Sequence, residues 1–211
     1  MERLSNLFPF PAKNRPNLDL LTFLENFLPP MDLARALSDS YLRHAAYLFR
    51  PMKRSEVMDA LLPTLYEGAA ARKREGSPSA SSPSSGSSSD DDQSLRRSTI
   101  DSWTPHALAT AFFIFALGAL LDPNKRPYNE EAEKWYDLGR SSMSLRTVWD
   151  QPAMETICAM GLMATYHSLG GKKYSRDSAW GIMSSAAKLG QSVGIFRLYF
   201  ALTHEVQDRT S

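Results

Sequence analysis

The stretch from Thr104 to Asp122, TPHALATAFFIFALGALLD, decides the fold. No charged residue occurs between Ala107 and Leu121. The run falls short of the ~18 or more consecutive apolar residues that a membrane-spanning helix needs. It reads as a helix buried on all sides in a soluble domain.

Outward from this segment, the chain divides by its helix breakers. Downstream, DPNKRP at 122–127 is a turn. Asn129 then offers a cap, and Glu130, Glu131 and Glu133 place acids at a helix N-terminus, where the backbone dipole favours them. The spacing predicts helices over 105–121, 129–146, 152–168 and 176–193. Ala132, Trp135, Tyr136, Gly139 and Met143 form the inner face of the second. Met154, Ile157, Met160, Gly161, Ala164 and Tyr166 populate the third, and Trp180, Met183, Ala187 and Gly190 the fourth. Small residues on these faces suit close approach of helix axes. No alternating β-branched run occurs, so no sheet is expected.

Upstream, residues 1–30 are punctuated by prolines around a short apolar cluster from Leu18 to Leu28. A helix begins near Met31, with Leu33, Leu37, Tyr41, Ala45 and Leu48 on one face and Asp32, Arg35, Asp39 and Arg43 on the other. Ser55 is placed to cap a second helix, which Pro63 must kink or split. Composition then shifts at Arg72. Nine of the thirteen residues from Ser77 to Ser89 are serine, and Asp90, Asp91 and Asp92 follow. Such a tract cannot bury enough apolar surface to offset its ordering entropy. The expectation is an all-α, multi-helix domain with a disordered Ser/Asp-rich insertion. Its parts are a Pro-punctuated segment (1–30), a helical hairpin (31–71), a disordered linker (72–99), a helical remainder (100–195) and a tail (196–211). Ser77 and Ser82 precede prolines, and Ser87, Ser88 and Ser89 each have an aspartate three residues on. These five are candidate phosphosites.

Composition narrows the function. Of 211 residues, 24 are Lys or Arg and 23 Asp or Glu, a net charge of +1. That balance gives no general attraction to nucleic acid. The single cysteine, Cys158, excludes an internal disulfide, and its apolar neighbours suggest a buried small side chain. His44, His106, His167 and His204 are not spaced as paired metal ligands. His44 flanks a helix, His106 sits at a helix start and His167 at a helix end, each read as partly exposed or capping. Gly170-Gly171-Lys172-Lys173 lacks the strand and spacing of a phosphate loop and reads as a helix end and turn. The three glutamates near 130 read as a solvated helix start rather than a metal site. No catalytic, cofactor-binding or metal residue is expected, and no enzyme. Arg72, Lys73, Arg74, Arg96 and Arg97 bracket the serine tract as a weak import signal or a nucleic-acid contact.

The helices also carry a resemblance. Tyr41 to Pro51 with Leu61-Leu62-Pro63, then Phe115-Ala116-Leu117-Gly118-Ala119, resemble the opening of the fungal-specific transcription factor domain, the middle homology region of fungal zinc-cluster regulators. Ala132-Glu133-Lys134-Trp135-Tyr136 with Arg140-Ser141 is similar to its next helix. So are PAMETICAMGLMATY from Pro152 to Tyr166 and the run from Ser178 to Gly194 to the two that follow. The elements come in the family's order over about 165 residues and cover the N-terminal part of that domain. After Gly194, the Leu-His-Arg of the pattern is replaced by Ile195-Phe196-Arg197, and the match ends. The resemblance implies a nuclear regulator of transcription by RNA polymerase II. Its partners would be other transcription regulators or a second copy of the domain, with no membrane. DNA reading and zinc belong in the family to a separate six-cysteine module, so no DNA-binding residue and no zinc ligand is carried over to this chain. The other reading is a helical interaction scaffold with a phosphorylatable spacer.

Overall fold

The structure, a computed structural model, describes residues 18–75, 104–149 and 152–208, with residues 195–208 as backbone alone. It is all-α, with seven α-helices and no strand among the described residues. These are α1 (Leu18–Glu25), α2 (Met31–His44), α3 (Leu62–Glu75), α4 (Pro105–Leu120), α5 (Glu130–Met143), α6 (Met154–Leu169) and α7 (Arg176–Asp208). The Ser/Asp-rich insertion and its five candidate phosphosites lie outside the described residues. No helix among the described residues is long and apolar enough to cross a membrane.

Helix α4 is the spine. Thr104 caps it, its Oγ1 accepting from the Ala107 N–H at 3.3 Å. Every residue from Pro105 to Leu120 is buried, so an apolar sequence without amphipathic bias is what the position requires. Helices α2, α5 and α6 pack around it. Phe112 and Phe115 meet Trp135 of α5, the first stacked at 6.1 Å and the second edge-on at 5.8 Å. On the other side Gly118 admits α2. A Cβ there would stand 2.0 Å from the Leu37 carbonyl oxygen, and Ser40 Oγ donates to the Gly118 carbonyl at 2.8 Å.

The face of α2 that packs inward is Ala34, Leu37, Ser38 and Tyr41, with Ala45 beyond. Leu33 and Leu48, expected inside, are exposed. Leu37, Tyr41 and Ala45 lie inside as the spacing predicts, and Ala34 and Ser38 complete the buried face in place of the two leucines. Ser55 does not cap. It is already helical and makes no cap bond, and the Glu56 carboxylate accepts from the Lys53 N–H at 2.6 Å instead. Pro63 neither stops nor sharply splits the helix. Glu56–Leu61 widens into a π turn, in which the Leu62 N–H reaches back to the Val57 carbonyl, before α3 begins. The wider turn accommodates a ring that has no N–H to donate and that would clash in an α-ladder.

Helix α3 continues through Arg72 to Glu75, past the compositional break at which a linker was expected. Arg72 holds it. Its guanidinium makes a forked ion pair with Glu25 of α1, and the two side chains are 11% and 3% exposed. Arg72 is therefore engaged in the fold and is not a free member of a basic import cluster.

Asn129 caps α5 as its position predicts, Oδ1 accepting from the Ala132 N–H at 2.8 Å. The five inner-face residues of α5 are all buried. Helix α7 departs from expectation twice. It runs on to Asp208, and it turns Ala179, Ala186 and Leu189 toward α6, while Trp180 is 75% exposed and Ala187 faces solvent. Methyl-sized side chains let α7 lie close on α6, and an indole on that line would hold the two apart.

Candidate functional site

The structure separates the four histidines. His44 is exposed at the end of α2, and the side chain of His204 lies outside the described residues. His106 is fully buried, contrary to a capping role. Its Nε2 lies 3.1 Å from the Arg146 carbonyl and its Nδ1 2.7 Å from Thr156 Oγ1. A carbonyl only accepts, so Nε2 carries the proton, and Nδ1 takes one from the threonine hydroxyl. Thr156 Oγ1 in turn accepts from the Ala153 N–H at 3.2 Å. The ring thus ties the loop after α5 to the start of α6. Burial lowers its pKa to about 4, so it is neutral near pH 7.

His167 sits in a polar-aromatic cluster where α5, α6 and α7 converge. Tyr136 OH meets its Nε2 at 2.5 Å, and its Nδ1 lies 2.7 Å from Ser178 Oγ. Ser178 gives its own proton to the Ser175 carbonyl at 2.7 Å. The donors therefore run in one direction, from Tyr136 to His167 to Ser178 to the backbone. A general base must take the proton of the serine, which is the opposite sense. Burial lowers the His167 pKa to about 4 and pushes the Tyr136 phenol up.

Glu133 closes the cluster. Tyr166 and Tyr174 donate to its carboxylate at 2.8 and 3.1 Å, and Lys173 forms an ion pair with it. Burial pushes its pKa up, but these donors outweigh burial and hold it below the usual value. Glu133 is therefore a tether between α5 and the α6–α7 turn, not part of a solvated helix start. Glu131 pairs with Lys125 at 2.5 Å. Among the described residues no group of three or more His, Cys, Asp or Glu is placed to hold a metal ion. Cys158 is buried, and burial pushes its thiol up to about 11. The Gly170–Lys173 segment forms a helix end and a 3-10 turn. Gly171 has φ +71°, and the Tyr128 ring leaves no room for a Cβ there.

Two surface features escape the sequence reading. One is the outward stripe of α7 around Trp180. The other is an open groove of about 900 Å³ between the outer face of α2 and the segment leading into the π turn. Arg35 and Arg43 line one side and Arg50, Lys53 and Arg54 the other. The sequence signal was present as two sets, 35–39–43 at helical spacing and RPMKR at 50–54, with nothing in the spacing to join them.

No family model matches the chain, and neither a curated protein nor a solved structure gives a significant match.

Proposed function

We propose that the chain carries the N-terminal part of the regulatory domain of a fungal zinc-cluster-type transcription factor, and that it acts in the nucleus through protein contacts. The observation that supports this reading is the agreement between motif and packing. Each motif segment downstream of the insertion occupies one helix, α4 to α7 in order. The residues that mark the motifs also meet one another. Gly118 lies against α2, Trp135 meets Phe115 edge-on at 5.8 Å, and Tyr136 stacks on Tyr166 at 4.4 Å. DNA binding and zinc belong, in this reading, to a cysteine-rich module of the parent protein, because Cys158 alone cannot build one.

The test is to tether the full chain to an unrelated DNA-binding module in fungal cells and to measure a reporter downstream of that module's site. The expected result is a changed reporter level together with nuclear accumulation of the tagged chain. A stable fusion that leaves the reporter unchanged, with the untethered chain excluded from the nucleus, overturns the reading.

The exposed Trp180 face of α7 favours a second reading, a helical interaction scaffold outside transcription. Pull-downs with and without residues 76–93 then report whether the Ser/Asp tract is a working spacer. Partners that include no transcription regulator favour the scaffold.

A further inference from the structure

The groove beside α2 concentrates positive charge on a chain that is nearly neutral as a whole. Five cations, Arg35, Arg43, Arg50, Lys53 and Arg54, line it against two acids, Asp39 and Asp59. Its geometry is held from both ends. Tyr41 OH donates to the Phe49 carbonyl at 2.7 Å and pins the start of the cation-bearing segment to α2. The Lys53 N–H donates to Glu56 and fixes its end. Asp39 takes Arg43 and Arg54 from opposite sides at 2.6 Å each, a strut across the groove. Arg35, Arg50 and Lys53 form no ion pair among the described residues, and all three are exposed.

We propose that this groove binds an acidic peptide bearing phosphoserine. Guanidinium forks match phosphate oxygens in pairs, and a phosphoserine followed by aspartates presents both a doubly charged anchor and trailing charge. A nucleic-acid backbone fits less well. None of the lining residues is aromatic, so there is no platform for a base. Asp39 and Asp59 also interrupt the continuous positive track that a polyphosphate chain needs. The chain itself contains a peptide of the right chemistry, Ser87-Ser88-Ser89-Asp90-Asp91-Asp92. The inference rests on the groove and stands apart from the transcriptional reading.

The test uses the full, unphosphorylated chain and a fluorescent peptide of sequence 84–95 carrying phosphate on Ser87, Ser88 and Ser89, read by anisotropy. The phosphopeptide is expected to bind at least ~10-fold more tightly than its unphosphorylated form, the effect of gaining one charge-assisted hydrogen bond or more. The double change Arg50→Glu with Lys53→Glu, at exposed positions, should cost at least ~10-fold with an unchanged circular dichroism spectrum. The same charge change at Arg126 and Lys188, away from the groove, should leave affinity unaltered. Equal binding of the two peptides, or equal loss in both double variants, overturns the proposal. So does displacement of the peptide by duplex DNA at lower concentration than by unlabelled phosphopeptide, which would make the groove a backbone site. A final arm phosphorylates the chain at its own Ser87–Ser89. If the added peptide is then excluded, the source is internal; if it still binds, the source is another chain. Both results uphold the chemistry of the groove.

Discussion

Gly118→Ala tests the close approach of α2 and α4. The new methyl carbon would lie 2.0 Å from the Leu37 carbonyl oxygen and 2.8 Å from the carbonyl carbon. Carbon and oxygen ordinarily approach to about 3.3–3.6 Å, so α2 and α4 must part by roughly an ångström or more. The obstacle is backbone and has no rotamer to change. Overpacking costs about 1–3 kcal/mol, and the upper end applies here. Parting the helices also stretches the Ser40–Gly118 hydrogen bond, worth about 1 kcal/mol. Alanine returns about 0.8–1 kcal/mol as a better helix former than glycine. The net loss is about 2–3 kcal/mol, and at roughly 2–4 °C per kcal/mol Tm falls by about 4–12 °C. Gly181→Ala is the control. Nothing lies within 4 Å of its Cβ position, so only the helix gain remains and Tm should rise by about 2–4 °C. Thermal unfolding followed by circular dichroism measures both. A Gly118→Ala protein as stable as the wild type refutes the close approach of α2 and α4.

Three further outcomes follow from the packing. Glu25→Gln leaves the Arg72 guanidinium without its anion at 11% exposure and should cost about 3–5 kcal/mol, whereas Glu25→Leu with Arg72→Met should recover most of it; a single-variant loss under ~1 kcal/mol in urea would contradict the buried pair. His106 has a folded pKa of about 4 against ~6.5 unfolded, so the unfolded chain holds the extra proton between those values. The contribution of His106 is complete above ~pH 6.5 and is lost toward pH 4 at about 1.4 kcal/mol per unit, and an imidazole NMR titration with a midpoint near 6.5 would refute it. Trp180→Ala should change stability by under ~0.5 kcal/mol and weaken partner or self association, while Trp135→Ala should cost about 3–5 kcal/mol; similar losses for the two, by thermal melting, would place Trp180 in the core.

The sequence reveals most where one physical requirement acts alone. An apolar run without charge has only one place in a helical domain, and Asn129 before three acids has only one role. It reveals less where two arrangements differ by a single residue of rotation. On α2 the spacing placed Leu37, Tyr41 and Ala45 correctly, but the larger Leu33 suggested the inner face where its neighbour Ala34 is buried instead. On α7 the same error recurs with Trp180, because bulk suggests burial while tight antiparallel contact with α6 selects alanines. Pro63 announced a disturbance, although nothing in the local sequence says that it takes the form of one widened turn. The roles of His106 and Glu133 were hidden for another reason. Their partners, Thr156, Arg146, Tyr166, Tyr174 and Lys173, lie 33 to 50 residues away for the bonds that define them. The basic groove is assembled in the same way, from a helix face and a loop that no period connects.

The all-round burial of α4 bears on how the chain is made. Helices α1 to α3 are made before α4, and the apolar face of α2 has no spine to cover until the chain has been extended to Leu120. Synthesis from Glu75 to Leu120 takes a few seconds at roughly 5–20 residues per second. The number of residues between the two blocks therefore sets how long the buried face of α2 waits for its partner helix.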